Sequence, residues 1–276
     1  MIRIVVDSSS DVLPINDENI TVVPLSITIG DKTYLDGVDL NHDIFYELLV
    51  SSNIFPKSSQ PSPQAFADLF EDAKAKGDNL LCILLSSGVS GTYQSAMIAK
   101  EMVDYDNIYV IDSLTGSYGA YLLAQEAQRM IKENKDIHEI VDTINELKKR
   151  VMVYLSVDKL EYLYKGGRLD RKSAVIGSIA KVKPVIYVTP EGTIGVASKT
   201  IGTTRVMNEI VDVTRKYEPD LAHRFYTICT LGENNVEKLE NKLRERGITD
   251  INRVHMGPVI GTHVGTEAFG IIYIRK

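Results

Sequence analysis

Four serines, a threonine and two glycines stand in the eleven residues Ser86 to Ala96, SSGVSGTYQSA, directly after the apolar run LLCILL. A second hydroxyl cluster, KSSQPSP, runs from Lys57 to Pro63. Hydroxyls gathered at a strand end serve one of two chemistries: attack on a carbonyl, or hydrogen bonding to an anion. Attack needs a base within reach of the hydroxyl. The nearest approach to a nucleophile elbow is GVSGT, which lacks the second glycine at its place. Of the five histidines, His42, His138 and His223 fall at helix starts or connections, and His255 lies in an apolar strand pattern. His263 differs, because GTHVG flanks it with glycines that let backbone approach a ligand closely. The sequence carries no HExxH, no paired cysteines and no calcium loop, so no metal or other cofactor is expected. It carries neither a phosphate loop nor a dinucleotide fingerprint. The inventory favours holding an anion over reacting with a carbonyl. A carboxylate held by Ser, Thr and backbone N–H groups can leave water without a paired cation, provided its acceptor positions are filled. KGGRLDR, Lys165 to Arg171, is a glycine-hinged basic loop, either a solvated turn or a docking surface for an anion or an acidic partner.

The elements that must position these groups alternate in the first half of the chain. IRIVV, ITVVPLSITIG, NLLCILL and NIYVID read as strands from their length, β-branched content and turn-residue borders. Helical patterns lie between them: NHDIFYELLVSS, SPQAFADLFEDAKAKG, YQSAMIAKEMVD and GAYLLAQEAQRMIKEN. Ser62 and Pro63 suit the cap and first position of the second of these. The continuous apolar character of LLCILL fits a parallel strand covered on both faces, and the alternation implies a doubly wound sheet. Ligands of such sheets sit beyond the carboxyl ends of the strands. Three polar clusters follow those ends: DSSSD, SSGVSGT and DSLTGSYG. Helix capping explains one hydroxyl per loop; several per loop point to a shared site.

Beyond the helical stretch IHEIVDTINELKKR the style changes to strands joined by turns: VMVYLSV, KPVIYVTPEGTIGVASKTIG, HRFYTICTLG and NRVHMGPVIGTHVG through FGIIYIRK. The PEG turn predicts an antiparallel hairpin. The expected fold is therefore α/β: a parallel, doubly wound domain over residues 1–150, and a second α/β domain with a mixed or antiparallel sheet over residues 151–276.

The 276 residues suit two compact units. A net charge of -6 argues against nucleic acid as the main partner. Cys82 and Cys229 lie inside apolar runs and read as buried thiols rather than a disulfide framework. The start, MIRIVVDSSSD, is too soon interrupted for a signal peptide, and no apolar run approaches spanning length, so a cytoplasmic protein is expected.

Taken in order, DSSSD, SSQPSP, SSGVSGTYQSA, YLYKGGR and GPVIGTHVG make the chain resemble the DegV family along its whole length. The resemblance implies a two-domain α/β protein that buries a long-chain fatty acid between its domains. A separate fatty acid kinase would then phosphorylate the lipid carboxyl, and the acyl phosphate would feed phospholipid synthesis. Carried onto this sequence, it makes Ser58, Ser90 and His263 carboxylate contacts, with Ser59 and Thr92 as lesser ones. The family commonly has threonine where this chain has Ser58, so the hydroxyl is kept and a methyl lost. Arg168 of KGGR and Lys199 would dock the kinase; related chains can carry arginine at the latter place. The implied protein is a binding subunit, not itself an enzyme, with no transmembrane segment and with room for transient contact at a membrane surface. Two other readings stand beside it: a serine hydrolase of an ester or thioester with Ser90 as nucleophile and His263 as base, and a sugar- or phosphate-binding domain.

Overall fold

The computed structural model describes residues 1–12, 20–52, 54–169 and 182–276. Strands β1 (Ile2–Asp7), β2 (Ile20–Val23), β6 (Asn79–Leu84) and β7 (Ile108–Asp112) form a four-stranded sheet in the order β2-β1-β6-β7, parallel throughout. Alternation along these strands divides two cores. Val5, Leu80, Cys82 and Leu84 face one way, onto α2 (Pro63–Lys76) and α3 (Thr92–Val103). Ile4, Val6, Leu81 and Ile83 face the other way, onto α4 (Tyr118–Lys132) and α5 (Ile137–Leu147). Helices on both faces are what lets LLCILL be apolar without interruption.

The second half builds a six-stranded mixed sheet. Its strands are β8 (Val151–Ser156), β9 (Val182–Val188), β10 (Ile194–Ile201), β11 (Phe225–Cys229), β12 (Ile251–His255) and β13 (Phe269–Ile274), in the order β10-β9-β8-β13-β11-β12. Only the β11–β12 pair is parallel. The β9–β10 pair is the hairpin predicted at PEG, with Gly192 at φ 75 closing the turn. One face of this sheet carries α7 (Thr203–Lys216) and α8 (Asn234–Glu245). Leu155 and Ile272 on the other face join the cluster of Leu122 and Leu123 on α4, so α4 is packed between the two sheets.

Two expectations are corrected. ITVVPLSITIG is two strands in different sheets: β2 ends at Val23, and β3 (Ser26–Ile29) pairs with β4 (Lys32–Leu35) and β5 (Lys57–Ser59) in a three-stranded antiparallel sheet. Pro24 offers no N–H to continue the ladder. The chain turns there, and Leu25 N–H donates instead to Ser8 Oγ at 3.0 Å. The second correction concerns GPVIGTHVG, expected within a strand. β12 stops at His255, opposite the end of β11, and Pro258–Val264 form a helix, α9. Pro258 sits in its first turn, where a missing N–H costs nothing. Gly261 lets α9 approach α1 (His42–Ser51) closely, since a Cβ there would lie 2.5 Å from the Tyr46 hydroxyl.

Candidate functional site

The polar clusters at the strand ends divide into two jobs. Part of the DSSSD cluster ties loops together. Asp7 accepts hydrogen bonds from Leu85 N–H at 2.7 Å and Ser9 N–H at 3.0 Å, and Ser117 Oγ donates to Asp11. Asp112 holds the next loop by accepting from Ser87 N–H and Leu114 N–H, each at 3.1 Å. With these carboxylates as fixed anchors, the SSGVSGT and LTGS loops are held at the same edge of the parallel sheet.

The other job is to line a cavity between the mixed sheet and the loops at the carboxyl edge of the parallel sheet. Its walls are apolar. Val153 and Leu155 of β8, Ile186 and Val188 of β9 and Ile194 of β10 come from the mixed sheet. Leu25, Leu85 and Val89 come from the other side, with Leu163, Val259 and Val264 closing the remainder. A few polar groups converge on this space: Ser58, Ser90, Thr115, Ser117, His263 and Arg168.

Each polar group has a local reason for its position. Ser58 sits in β5, whose pairing with β3 brings it opposite Ile27. Its Oγ lies 2.8 Å from His263 Nε2 on α9. Ser90 precedes α3, and its Oγ lies 2.9 Å from Thr92 Oγ1 and accepts from Thr92 N–H at 3.3 Å. Ser117 stands immediately before α4, its hydroxyl given to Asp11 rather than to the helix. Two helix N-termini, with partial positive charge and spare N–H groups, thus start beside the cavity. An anion placed there meets donors rather than lone pairs.

His263 is held uncharged. Burial, and then the nearby Arg168 guanidinium, push its pKa down to about 4. Its Nδ1 has no hydrogen-bond partner, and Gly166 packs against that edge of the ring, where a Cβ would be 2.4 Å away. Catalytic bases are normally oriented by a third group on the far nitrogen; no carboxylate partners Nδ1 here. The ring bonds to Ser58 rather than Ser90, which is not the pairing a Ser90 nucleophile would need.

Sequence reasoning and structure differ over the remaining residues. Arg168 is half-buried in the cavity wall, with Nε donating to Val89 O at 2.9 Å, and burial lowers its pKa. Lys199 is exposed on β10, away from the cavity. Ser59 is exposed beside Ser58, and Thr92 is fully buried behind Ser90; neither lines the cavity. Thr115 and Gly192 do line it. DSLTGSYG carried the signal for Thr115, as the third of the strand-end clusters. Gly192 had only the turn chemistry of PEG to mark it. Asp170 and Arg171 of the KGGRLDR loop lie outside the described residues.

A family model described as "Uncharacterised protein, DegV family" matches residues 1–276. The chain belongs to the DegV family. A DegV domain-containing protein of Caldanaerobacter subterraneus is 39% identical over 279 residues, covering 100% of this chain and 99% of the relative. Among solved structures, the fatty acid binding DegV family protein from Streptococcus agalactiae has a TM-score of 0.90 at 28% identity, covering 100% of this chain and 99% of its own. DegV from Bacillus subtilis, described as a fatty acid binding protein, has a TM-score of 0.83 at 31% identity with the same coverage. The DegV architecture thus extends over the whole chain, including the mixed sheet and the loops that wall the cavity.

Proposed function

We propose that this protein binds a long-chain fatty acid, with the acyl chain in the apolar cavity and the carboxylate at Ser58, Ser90 and His263. The observation that carries the reading is the composition of that cavity, apolar walls from the mixed sheet and from the loops at the edge of the parallel sheet, with a few polar groups among them. Burying roughly fifteen methylenes at about 0.8 kcal/mol each contributes a gross 12 kcal/mol or so. Association and ordering costs consume a large part of that and still leave room for tight binding. The carboxylate is matched by Ser58, Ser90 and the helix N-termini as donors. A neutral His263 with its proton on Nε2 donates to Ser58 Oγ and so turns the Ser58 hydroxyl proton toward the carboxylate, and the Arg168 guanidinium adds positive potential. The descriptions of the Streptococcus agalactiae and Bacillus subtilis relatives as fatty acid binding support the same reading.

The protein acts as a carrier rather than a catalyst, presenting the carboxyl group to a separate kinase that forms the acyl phosphate. The sequence has no phosphate loop of its own to hold ATP. Lys199, exposed on β10, is the proposed docking residue, and Arg168 serves the mouth of the site with whatever part of its surface remains exposed.

Mass spectrometry of an organic extract from freshly purified protein tests the binding reading. A stoichiometric fatty acid is expected; an extract without lipid, together with no saturable uptake of palmitate or oleate, would overturn it. Mixing the loaded protein with a fatty acid kinase and ATP tests the second step. Acyl phosphate is expected only when all components are present.

A further inference from the structure

A second cleft lies on the other side of the Asp11–Ser117 contact from the lipid cavity. Its lining includes Asp11, Asp36, His42, Tyr118 and His255. Asp11 is 8% exposed and Asp36 2% exposed, yet Asp11 Oδ1 and Asp36 Oδ2 have no hydrogen-bond partner. His42 Nε2 is a third buried atom without a partner. Its Nδ1 lies 2.9 Å from Asp43 Oδ1, so in the neutral ring Nδ1 carries the proton and Nε2 is left as an acceptor. Three enclosed acceptor atoms in the residues that line the cleft are thus unfilled, while Gly257 N–H approaches Asp11 and the Ser8 hydroxyl serves the Asp36 carboxyl.

Among the described residues no cation compensates the two carboxyls. The cationic side chain that lines the cleft, Arg253, is committed elsewhere: Nε and Nη2 each donate to Glu240 at 2.8 Å, and Nη1 pairs with Glu233. Burial raises the pKa of both Asp11 and Asp36, and Asp36 reaches about 7. Asp7 adds a third negative neighbour to each. Such a pair is unusual in a folded interior, where buried acids are ordinarily paired or fully hydrogen-bonded.

A bare metal ion does not suit the arrangement, because among the described residues no three His, Cys, Asp or Glu side chains come close enough together to ligate one. The acceptors instead suit a larger ligand whose donors are spread over several atoms. We propose that this cleft is a second binding site, for a small organic cation with amine or guanidine N–H donors, with Asp11 and Asp36 as its charge partners and His42 Nε2 as a third acceptor. Its position is independent of the fatty acid reading, although the two sites share the Asp11–Ser117 wall.

Calorimetric titration of the intact protein with agmatine and with putrescine, at about pH 8, above the value of about 7 for Asp36, tests the site. Saturable one-to-one binding by either compound is expected, weakened about tenfold or more in Asp36→Asn. Asp36→Asn keeps the side-chain shape, and Asp11→Asn provides a second variant should the first fail to fold. Ser58→Ala, on the lipid side of the wall, is expected to leave amine binding unchanged whatever it does to the lipid. No saturable binding of either amine to the unaltered protein would overturn the proposal. So would binding that survives both Asp substitutions, since that marks only the acidic surface, or a response confined to Ca2+ or Mg2+.

Discussion

Ser58 Oγ and His263 Nε2 stand 2.8 Å apart although 205 residues of chain separate them. One belongs to β5 and the other to α9, so their meeting depends on α9 packing against the small antiparallel sheet and α1. With Ser90 on the facing loop they define the polar part of an otherwise apolar cavity.

Removing one of these donors leaves a buried carboxylate short of a hydrogen bond. Ser90→Ala is expected to weaken fatty acid binding by about 1–3 kcal/mol, roughly five- to 150-fold. Ser58→Ala falls in the same range, because it also leaves His263 Nε2 without its hydroxyl partner. Competition against a fluorescent fatty acid measures both. An unchanged dissociation constant in either variant removes that residue from the site.

The neutral state of His263 gives a second expectation. Its pKa is depressed first by burial and then by Arg168, to about 4. A histidine that resists protonation in the fold contributes stability that is complete above its unfolded pKa of about 6.5 and is lost as pH falls toward 4. His263→Gln removes this slope, so its stability relative to the unaltered protein rises on acidification across that window. Arg168→Gln moves the His263 pKa part of the way back up, since burial remains. Titration of the imidazole by NMR checks the shift, and a pKa left unmoved by Arg168→Gln would exclude the guanidinium as a cause.

The local signals in the sequence were read well where one residue type has one physical consequence. Ser62 caps α2, with Pro63 following it; Gly192 closes the hairpin turn; LLCILL is a central parallel strand. The errors came where local pattern was outvoted by tertiary contacts. VVPLS looks continuous because apolar residues flank the proline, but the partners of Val22 and Ile27 lie in different sheets. GPVIGTHVG has strand-like residues, yet Gly261 fits under Tyr46 and the segment coils. The glycines flanking His263 and the hydroxyl cluster holding Ser58 mark each as a candidate, but only the resemblance to a family joins them at one carboxylate, since spacing in the chain holds no information about a contact between residues so distant. Which apolar residues face the cavity depends on how the mixed sheet meets the loops of the parallel one, and periodicity within one strand does not encode that. Arg168 was legible as a basic residue on a glycine hinge; its turn inward toward Val89 O was not.

Asp36 supplies a prediction of opposite sign to His263. Its pKa is raised by burial from 3.8 to about 7, with Ser8 as a partly compensating donor and Asp7 adding to the rise. An acid with a raised folded pKa destabilises the fold as pH climbs from its unfolded value through its folded one. Asp36→Asn removes the charge and is expected to be more stable than the unaltered protein by a few kcal/mol (about 3) at neutral to alkaline pH. The advantage shrinks on acidification and disappears below the unfolded pKa. Urea unfolding at several pH values reads this directly. A variant less stable at all pH values would mean that the ionised carboxylate has a favourable partner in the folded protein.

Gly192 tests whether the close approach of the two loops holds the cavity together. Ser86 Oγ donates to Gly192 O at 2.8 Å, joining the SSGVSGT loop of the first half to the β9–β10 turn of the second. The approach is tight from both sides: a Cβ on Gly88 would lie 2.8 Å from Gly192 O, and one on Gly192 would lie 2.0 Å from Ser86 Oγ. Gly192 is also at φ 75, where any side chain is strained. Gly192→Ala therefore adds backbone strain to a steric clash and is expected to cost about 1–3 kcal/mol of stability. It should also weaken fatty acid binding, because the displaced turn forms part of the cavity wall. Gly202 is the control: it too has a positive φ, 91, but its Cβ would meet nothing within 4 Å. Gly202→Ala shares the strain without the clash, so it should lower the unfolding midpoint while leaving lipid affinity intact. If both variants lose affinity equally, the Ser86–Gly192 contact is not what shapes the cavity.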